Sequence, residues 1–188
     1  MSSHHIVREK QEPGLLILEP DQFDPEHLGH LLEWSPTVVA ADSAAGYCEE
    51  LGIKVDGVLT TDPGLPVQAH ARRILHSGDP LGSGVRFFLD EGYPALNIIR
   101  QQADFRQYVP YAERISLVVY SANKKLFPIR PGFTKWKMRG ELIEVSEPAR
   151  ILSAPNQVPV ADHLFRVEED GLCSFSFSGP FIFVTEEL

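Results

Sequence analysis

The stretch VVAADSAAGYCEELGIKVDGVLTTDPG, residues 38–64, decides the fold. An apolar run from Thr37 to Ala41 ends in Asp42. A helical stripe follows, with Ala44, Tyr47, Cys48 and Leu51 on one face and Gly52 suited to end the helix. A second apolar run, Gly57–Thr61, then ends in Asp62. Strand, helix and strand in so short a span mean parallel pairing with a crossover helix.

The same alternation extends on both sides. Upstream, Gly14–Glu19 (GLLILE) reads as a buried strand. Asp24-Pro25 supplies an N-cap with proline in the first turn, ahead of Leu28, Leu31 and Leu32 on one helical face. Downstream, the spacing of Val67, Ala71, Ile74 and Leu75 after Pro66 predicts a helix ended by Gly78. A further helix is expected for Leu81, Val85, Phe88 and Leu89, ended by Gly92 and Pro94, and a strand over Ala95–Ile99. From Ile115 the period changes to two. ISLVVY, GELIEV and CSFSFS alternate, and FRVEEDGLCSF predicts a hairpin turning at Asp170-Gly171. The expected fold class is therefore α/β: a parallel-sheet layer domain over residues 1–112, then an antiparallel β-sandwich over 113–188.

Totals bound the function. The chain has 188 residues, 43% of them hydrophobic, and a net charge of −9. That charge argues against a nucleic-acid partner, because phosphate-backbone binding is driven by Lys and Arg. No apolar run reaches the roughly 18 residues of a membrane span. The N-terminal MSSHHIVREKQEP lacks the apolar core of a signal peptide, and His4 and His5 read as a solvated tail. Two cysteines, Cys48 and Cys173, form no framework and suit reduced thiols in the cytoplasm.

Chemistry concentrates at strand ends. In an open parallel sheet, ligands bind beyond the carboxyl ends of the strands, where Asp42 and Asp62 both fall. Asp42-Ser43 also opens a helix, whose free N–H groups favour phosphate. Asp62 suits a hard cation such as Mg²⁺. Read simply as backbone chemistry, Asp42 is an N-cap and Asp62 opens a turn. Elsewhere, GDPLGSGVRF (78–87) suits a phosphate loop or a plain one. Arg72, Arg73 and Arg86 suit phosphate contacts or a solvated face. His27 and His30 have metal-compatible spacing without a third ligand. PGFTKWKMRGE (131–141) offers Phe133 and Trp136 to stack on a flat ring, with Lys135 or Lys137 reaching an anion, or else to fill a sandwich core or dimer contact.

Residues 38–62 resemble the thiamine pyrophosphokinases. Asp42-Ser43-Ala44 stands where that family has Asp-Gly-Gly/Ala. Leu51-Gly52-Ile53-Lys54-Val55-Asp56 resembles its Leu-Gly-Ile-x-Pro-Asp, and Thr61-Asp62-Pro63-Gly64 its Gly-Asp-x-Asp-Ser. Here Gly64 replaces the second carboxylate. Asp79 lies near a further acidic element, and RQQADFRQYVPYAER stands in place of Gly-Gly-Arg-x-Asp-His. The resemblance implies transfer of pyrophosphate from ATP to the hydroxyl of thiamine, with Mg²⁺, in a homodimer. It also implies roles. Asp62 and Asp42 would serve catalysis, and Asp42, Ser43, Asp56 and Asp79 would meet the nucleotide. Asp62 and Asp79 would hold the metal, and Phe133, Trp136 and Asn156 the thiamine. The alternative is a non-catalytic relative that binds a nucleotide, a thiamine-like ring or a protein partner.

Overall fold

The computed structural model describes Lys10 and residues 12–188, so His4 and His5 lie outside the described residues. The first half contains β1 (Gly14–Ile17), α1 (Pro25–Leu32), β2 (Val38–Ala41), α2 (Asp42–Glu50), β3 (Gly57–Thr60), β4 (Arg72–Leu75), α3 (Pro80–Asp90), β5 (Ala95–Ile99) and β6 (Ser116–Ser121). The second contains β7 (Lys124–Ile129), β8 (Thr134–Lys137), β9 (Leu142–Val145), β10 (Ile151–Ser153), β11 (Gln157–Ala161), β12 (Leu164–Val167), β13 (Gly171–Ser174), β14 (Ser176–Phe177) and β15 (Ile182–Glu187). Among the described residues, 11 strands form one sheet in the order β11-β12-β9-β15-β7-β6-β5-β1-β2-β3-β4. From β4 to β6 every pairing is parallel; from β6 to β11 every pairing is antiparallel.

The pleat sends alternate side chains to opposite faces, and each face has its own cover. On one, Leu16, Val39, Leu59, Leu96, Ile98, Leu117 and Val119 pack under Val85 and Phe88 of α3 and under Tyr108 and Ala112. On the other, Leu15, Ile17, Val38, Ala40 and Val58 pack under Leu28 of α1 and Ala44 and Cys48 of α2. Helix α3 approaches closely because Gly84 faces β1: a Cβ there would come within 2.7 Å of a Leu16 methyl. The expected phosphate loop at 78–87 is therefore mostly the first turns of α3, with Gly82 and Gly84 buried in it.

Two further expectations are corrected. The segment after Pro66 forms no helix. Residues 72–75 are β4, paired in parallel with β3. The spacing of Ile74 and Leu75 is strand alternation: Ile74 packs inward while Leu75 is 58% exposed. Arg72 and Arg73 then lie along an exposed sheet edge, which discourages pairing with other chains. Nor do β12 and β13 form a hairpin. β12 pairs with β9 and β11, whereas β13 pairs with β8, so Asp170-Gly171 carries the chain across the sandwich. The CSFSFS alternation does hold, with Cys173, Phe175 and Phe177 buried against Val145, Phe165 and Val184.

The two cysteines are free and buried. Burial pushes the Cys48 thiol up to about 11 from 9.0. The unfolded chain loses this proton first, so the resulting stabilisation is full below pH 9 and is lost as pH rises towards 11. Chemical denaturation from pH 8 to 11 should show a fall of about 2–3 kcal/mol from this group, absent in Cys48→Ala.

Candidate functional site

Strand β1 sits between β2 and β5, so the crossovers leave it in opposite directions and open a crevice at its carboxyl end. A cavity of about 420 Å³ lies there, lined by Glu19 after β1, Ser43 at the start of α2, Asp79 at the start of α3, Arg100 after β5, and Gln107 and Tyr111. Glu19, Ser43 and Arg100 arrive by the same rule: a buried apolar strand ends, and the first polar residues beyond it face the opening.

Asp42 and Asp62 are joined through a residue that sequence reading passed over. The Thr60 hydroxyl, fully buried, donates to Asp42 Oδ2 at 3.0 Å and accepts from the Asp62 N–H at 3.0 Å. Asp42 Oδ1 accepts from the Ser43 N–H at 2.8 Å, and Asp62 Oδ1 from the Gly64 N–H at 2.7 Å. Thr60 thus clamps the ends of β2 and β3 to one another. Thr60→Val keeps the shape and removes both bonds, so it should cost about 1–3 kcal/mol in urea unfolding.

The helix openings differ. Asp79 caps α3 by accepting from the Gly82 N–H at 2.8 Å. The N-cap of α2 is Ala41, with no side-chain bond to the first turn, although Asp42 satisfies the Ser43 N–H. The remaining first-turn donors and the positive end of the dipole lie beside the crevice. Arg100 is the cation of the lining. It is held by Gln107 and by Glu19, whose carboxylate lies 3.6 Å away. The Tyr108 hydroxyl is buried near Arg100 and has no hydrogen-bond partner among the described residues. Burial pushes its phenol up, and Arg100 draws it partly back. Burial and then the Asp79 charge raise Tyr111 as well, so both phenols stay protonated at neutral pH.

The other sequence candidates lie elsewhere. Asp56 precedes β3 and therefore sits at the amino end of the sheet. There it accepts from the Val38 N–H at 3.0 Å and pairs with Lys54 at 2.9 Å. A residue before a parallel strand cannot share a crevice with residues after it, which corrects its grouping with Asp42. Phe133 follows β7, which runs antiparallel, so it too lies at the amino end of β5 and β6. Trp136 is 57% exposed on the β8–β13 ribbon, opposite Leu172. Asn156 adopts a positive φ of 62° and spends its amide on the Glu169 backbone, at 2.8 and 3.0 Å. Lys135 and Lys137 reach the protein's own Glu186, at 2.5 and 3.3 Å. His30 pairs with Glu33 at 2.8 Å, and Arg72 stacks on Phe87.

The carboxylates do not build a metal centre by themselves. Among the described residues no group of three or more His, Cys, Asp or Glu side chains gathers at metal-binding distance. Asp42 has both oxygens engaged, and Asp62 and Asp79 one each. Their free oxygens suit only a hard cation that arrives with other ligands.

Comparison with solved structures covers nearly the whole chain. Thiamine pyrophosphokinase from Bacillus subtilis superposes with a TM-score of 0.68 over 93% of this chain and 98% of that one, at 10% identity. The fold is that of the thiamine pyrophosphokinases. The Candida albicans thiamin pyrophosphokinase gives a TM-score of 0.61, covering 94% of this chain and 90% of its own, at 11% identity. A Lactobacillus plantarum protein gives 0.66, covering 93% of this chain and 97% of its own, at 14% identity. No protein-family model matches the sequence, and no curated protein matches it. Both halves of the chain are thus covered by the thiamine pyrophosphokinase fold at only 10–14% identity. No helix among the described residues is long and apolar enough to cross a membrane.

Signals for the missed residues existed. Glu19 and Arg100 are the first charged residues after the apolar runs GLLIL and ALNII. The strand-end rule that singled out Asp42 and Asp62 applies to them equally.

Proposed function

We propose that this protein is a non-catalytic relative of the thiamine pyrophosphokinases that binds a nucleotide, with its phosphates in the crevice between Ser43 and Arg100. The observation that carries this reading is the switch-point crevice itself, in which a helix opening without a side-chain cap faces a buried-rim guanidinium. Phosphate there would accept from the first turn of α2 and from Arg100, exchanging the Glu19 contact for a charge-assisted pair. Mg²⁺ would enter on the nucleotide, with Asp62 and Asp79 among its ligands, and would supply the positive charge that the acidic lining lacks. Catalysis of pyrophosphate transfer asks more: charge must be balanced as it moves onto the leaving phosphate. Of the three aspartates, Asp42 has both oxygens engaged, and Asp62 and Asp79 keep one free oxygen each, too few to hold a metal without the nucleotide.

A second reading, transfer of pyrophosphate from ATP to thiamine, is favoured by one observation. Both halves of the chain match the kinases over nearly their full length. In that reading a homodimer brings Phe133 or Trp136 to the crevice of the partner, because within one chain the length of the sheet separates Phe133 from Asp62.

Calorimetry with ATP and Mg²⁺ should show saturable binding at one site per chain. The same protein with ATP, Mg²⁺ and thiamine should form no AMP and no thiamine pyrophosphate. Absence of ATP binding would overturn the proposal. Product formation lost in Asp62→Ala would establish the second reading.

A further inference from the structure

A second cavity, of about 530 Å³, lies at the other end of the sheet, where β5 and β6 begin and β7 ends. Its volume falls within the roughly 300–1,000 Å³ usual for small-molecule sites. It exists because the sheet face has a gap in its cover. Helices α1 and α2 lie over β1, β2 and β3, and the β8–β13 and β10–β14 ribbons lie over β9, β12 and β15. Between the two covers, Asn97, Val118 and Phe127 stay half-buried.

Three features of this gap point to one kind of ligand. Asn97 is a polar residue at the centre of β5, flanked in register by fully buried Leu15 and by Val118. Among the described residues its carboxamide makes no hydrogen bond, and as a half-buried group lining the cavity it is open to solvent or a ligand. Arg130 lines the mouth; its guanidinium makes one hydrogen bond among the described residues, a 3.4 Å bond to the Ala112 carbonyl, and no carboxylate of the described residues lies within ion-pair distance. Phe127 and Phe133 form one wall, their ring centroids 6.1 Å apart at 59°.

We infer that this cavity is a binding site for a flat heteroaromatic carboxylate, separate from the crevice at the opposite end of the sheet. The ring lies on the Phe127–Phe133 wall, the carboxylate meets Arg130, and a ring acceptor faces the Asn97 amide. Arginine suits a carboxylate because its planar donors match both oxygens. Asn97 lies three residues from Arg100, about 10 Å at 3.3 Å per residue, and the pleat turns the two side chains to opposite faces of the sheet, so the two sites are separate within a chain.

Nicotinate is a suitable probe and nicotinamide its neutral control. In ¹H–¹⁵N spectra of the full chain, nicotinate should shift the Asn97 side-chain NH₂ and the Phe133 amide saturably. Nicotinamide should bind about tenfold more weakly, as expected for loss of one charge-assisted pair. The exposed Arg130→Gln substitution should weaken nicotinate about tenfold and leave nicotinamide unchanged, and Asn97→Ala should weaken both. Saturating ATP should not displace nicotinate. No saturable shift at Asn97, equal nicotinate affinity in Arg130→Gln, or displacement by ATP would each overturn the inference.

Discussion

Glu186→Ala should lower the unfolding free energy by about 3–5 kcal/mol, the usual cost of stranding a buried charge. The Glu186 side chain is only 3% exposed and Lys137 only 7%. Glu186 lies between two lysines, its oxygens 2.5 Å from Lys135 Nζ and 3.3 Å from Lys137 Nζ, and Glu141 closes the set at 2.5 Å from Lys137. Burial alone would push the Lys137 ammonium down, but Glu141 and Glu186 more than offset it and hold it above 10.5. A raised folded value means that this stabilisation is whole below pH 10.5 and is lost only as pH climbs through it. Burial, and next the Lys135 charge, lower Lys125, the cross-strand neighbour of Glu186. With Glu186 gone, three lysines share one carboxylate. Urea unfolding should show a lower midpoint with an unchanged slope. The paired substitution Glu186→Leu with Lys137→Met should recover most of the loss, because apolar replacement of a buried ion pair is commonly neutral.

Arg100→Ala should weaken ATP binding by roughly 10–100-fold while leaving the fold intact, since a charge-assisted hydrogen bond contributes about 1.5–3 kcal/mol. Arg100 lies just beyond the fully buried Ile99, and its side chain is 22% exposed. Its partners, Gln107 and Glu19, are themselves on the crevice rim. Arg100→Lys should restore only part of the affinity, because an ammonium cannot reproduce a bidentate contact with phosphate. Calorimetry on the two variants measures this directly, and equal affinity in wild type and Arg100→Ala would remove Arg100 from the site.

The alternation of apolar runs with helical stripes was enough to read the α/β half, because buried parallel strands and amphipathic helices leave distinct periods. Reading failed where an edge strand mimics a helix. Arg72–Leu75 is an edge strand with three of its four residues exposed, so its short apolar pair fits either period. It failed again at Asp170-Gly171, a good turn dipeptide whose flanking strands join different sheets; pairing partners are a long-range property that local sequence does not carry. The acids of residues 38–64 were legible as strand-end residues. Their coupling through Thr60 was not, because a threonine ending an apolar run looks like any β-branched strand residue. Asp56 went astray for a related reason: it is close in sequence to Asp62, but one strand's length away in space.

The nucleotide crevice is tested most directly by amide NMR titration of the full chain with ATP and Mg²⁺. The expected result is saturable shifts at Ser43 and Ala44 of α2 and at Arg100, with Asn97 and Phe133 unmoved. No shift at the carboxyl end of the sheet, or shifts confined to its amino end, would contradict it.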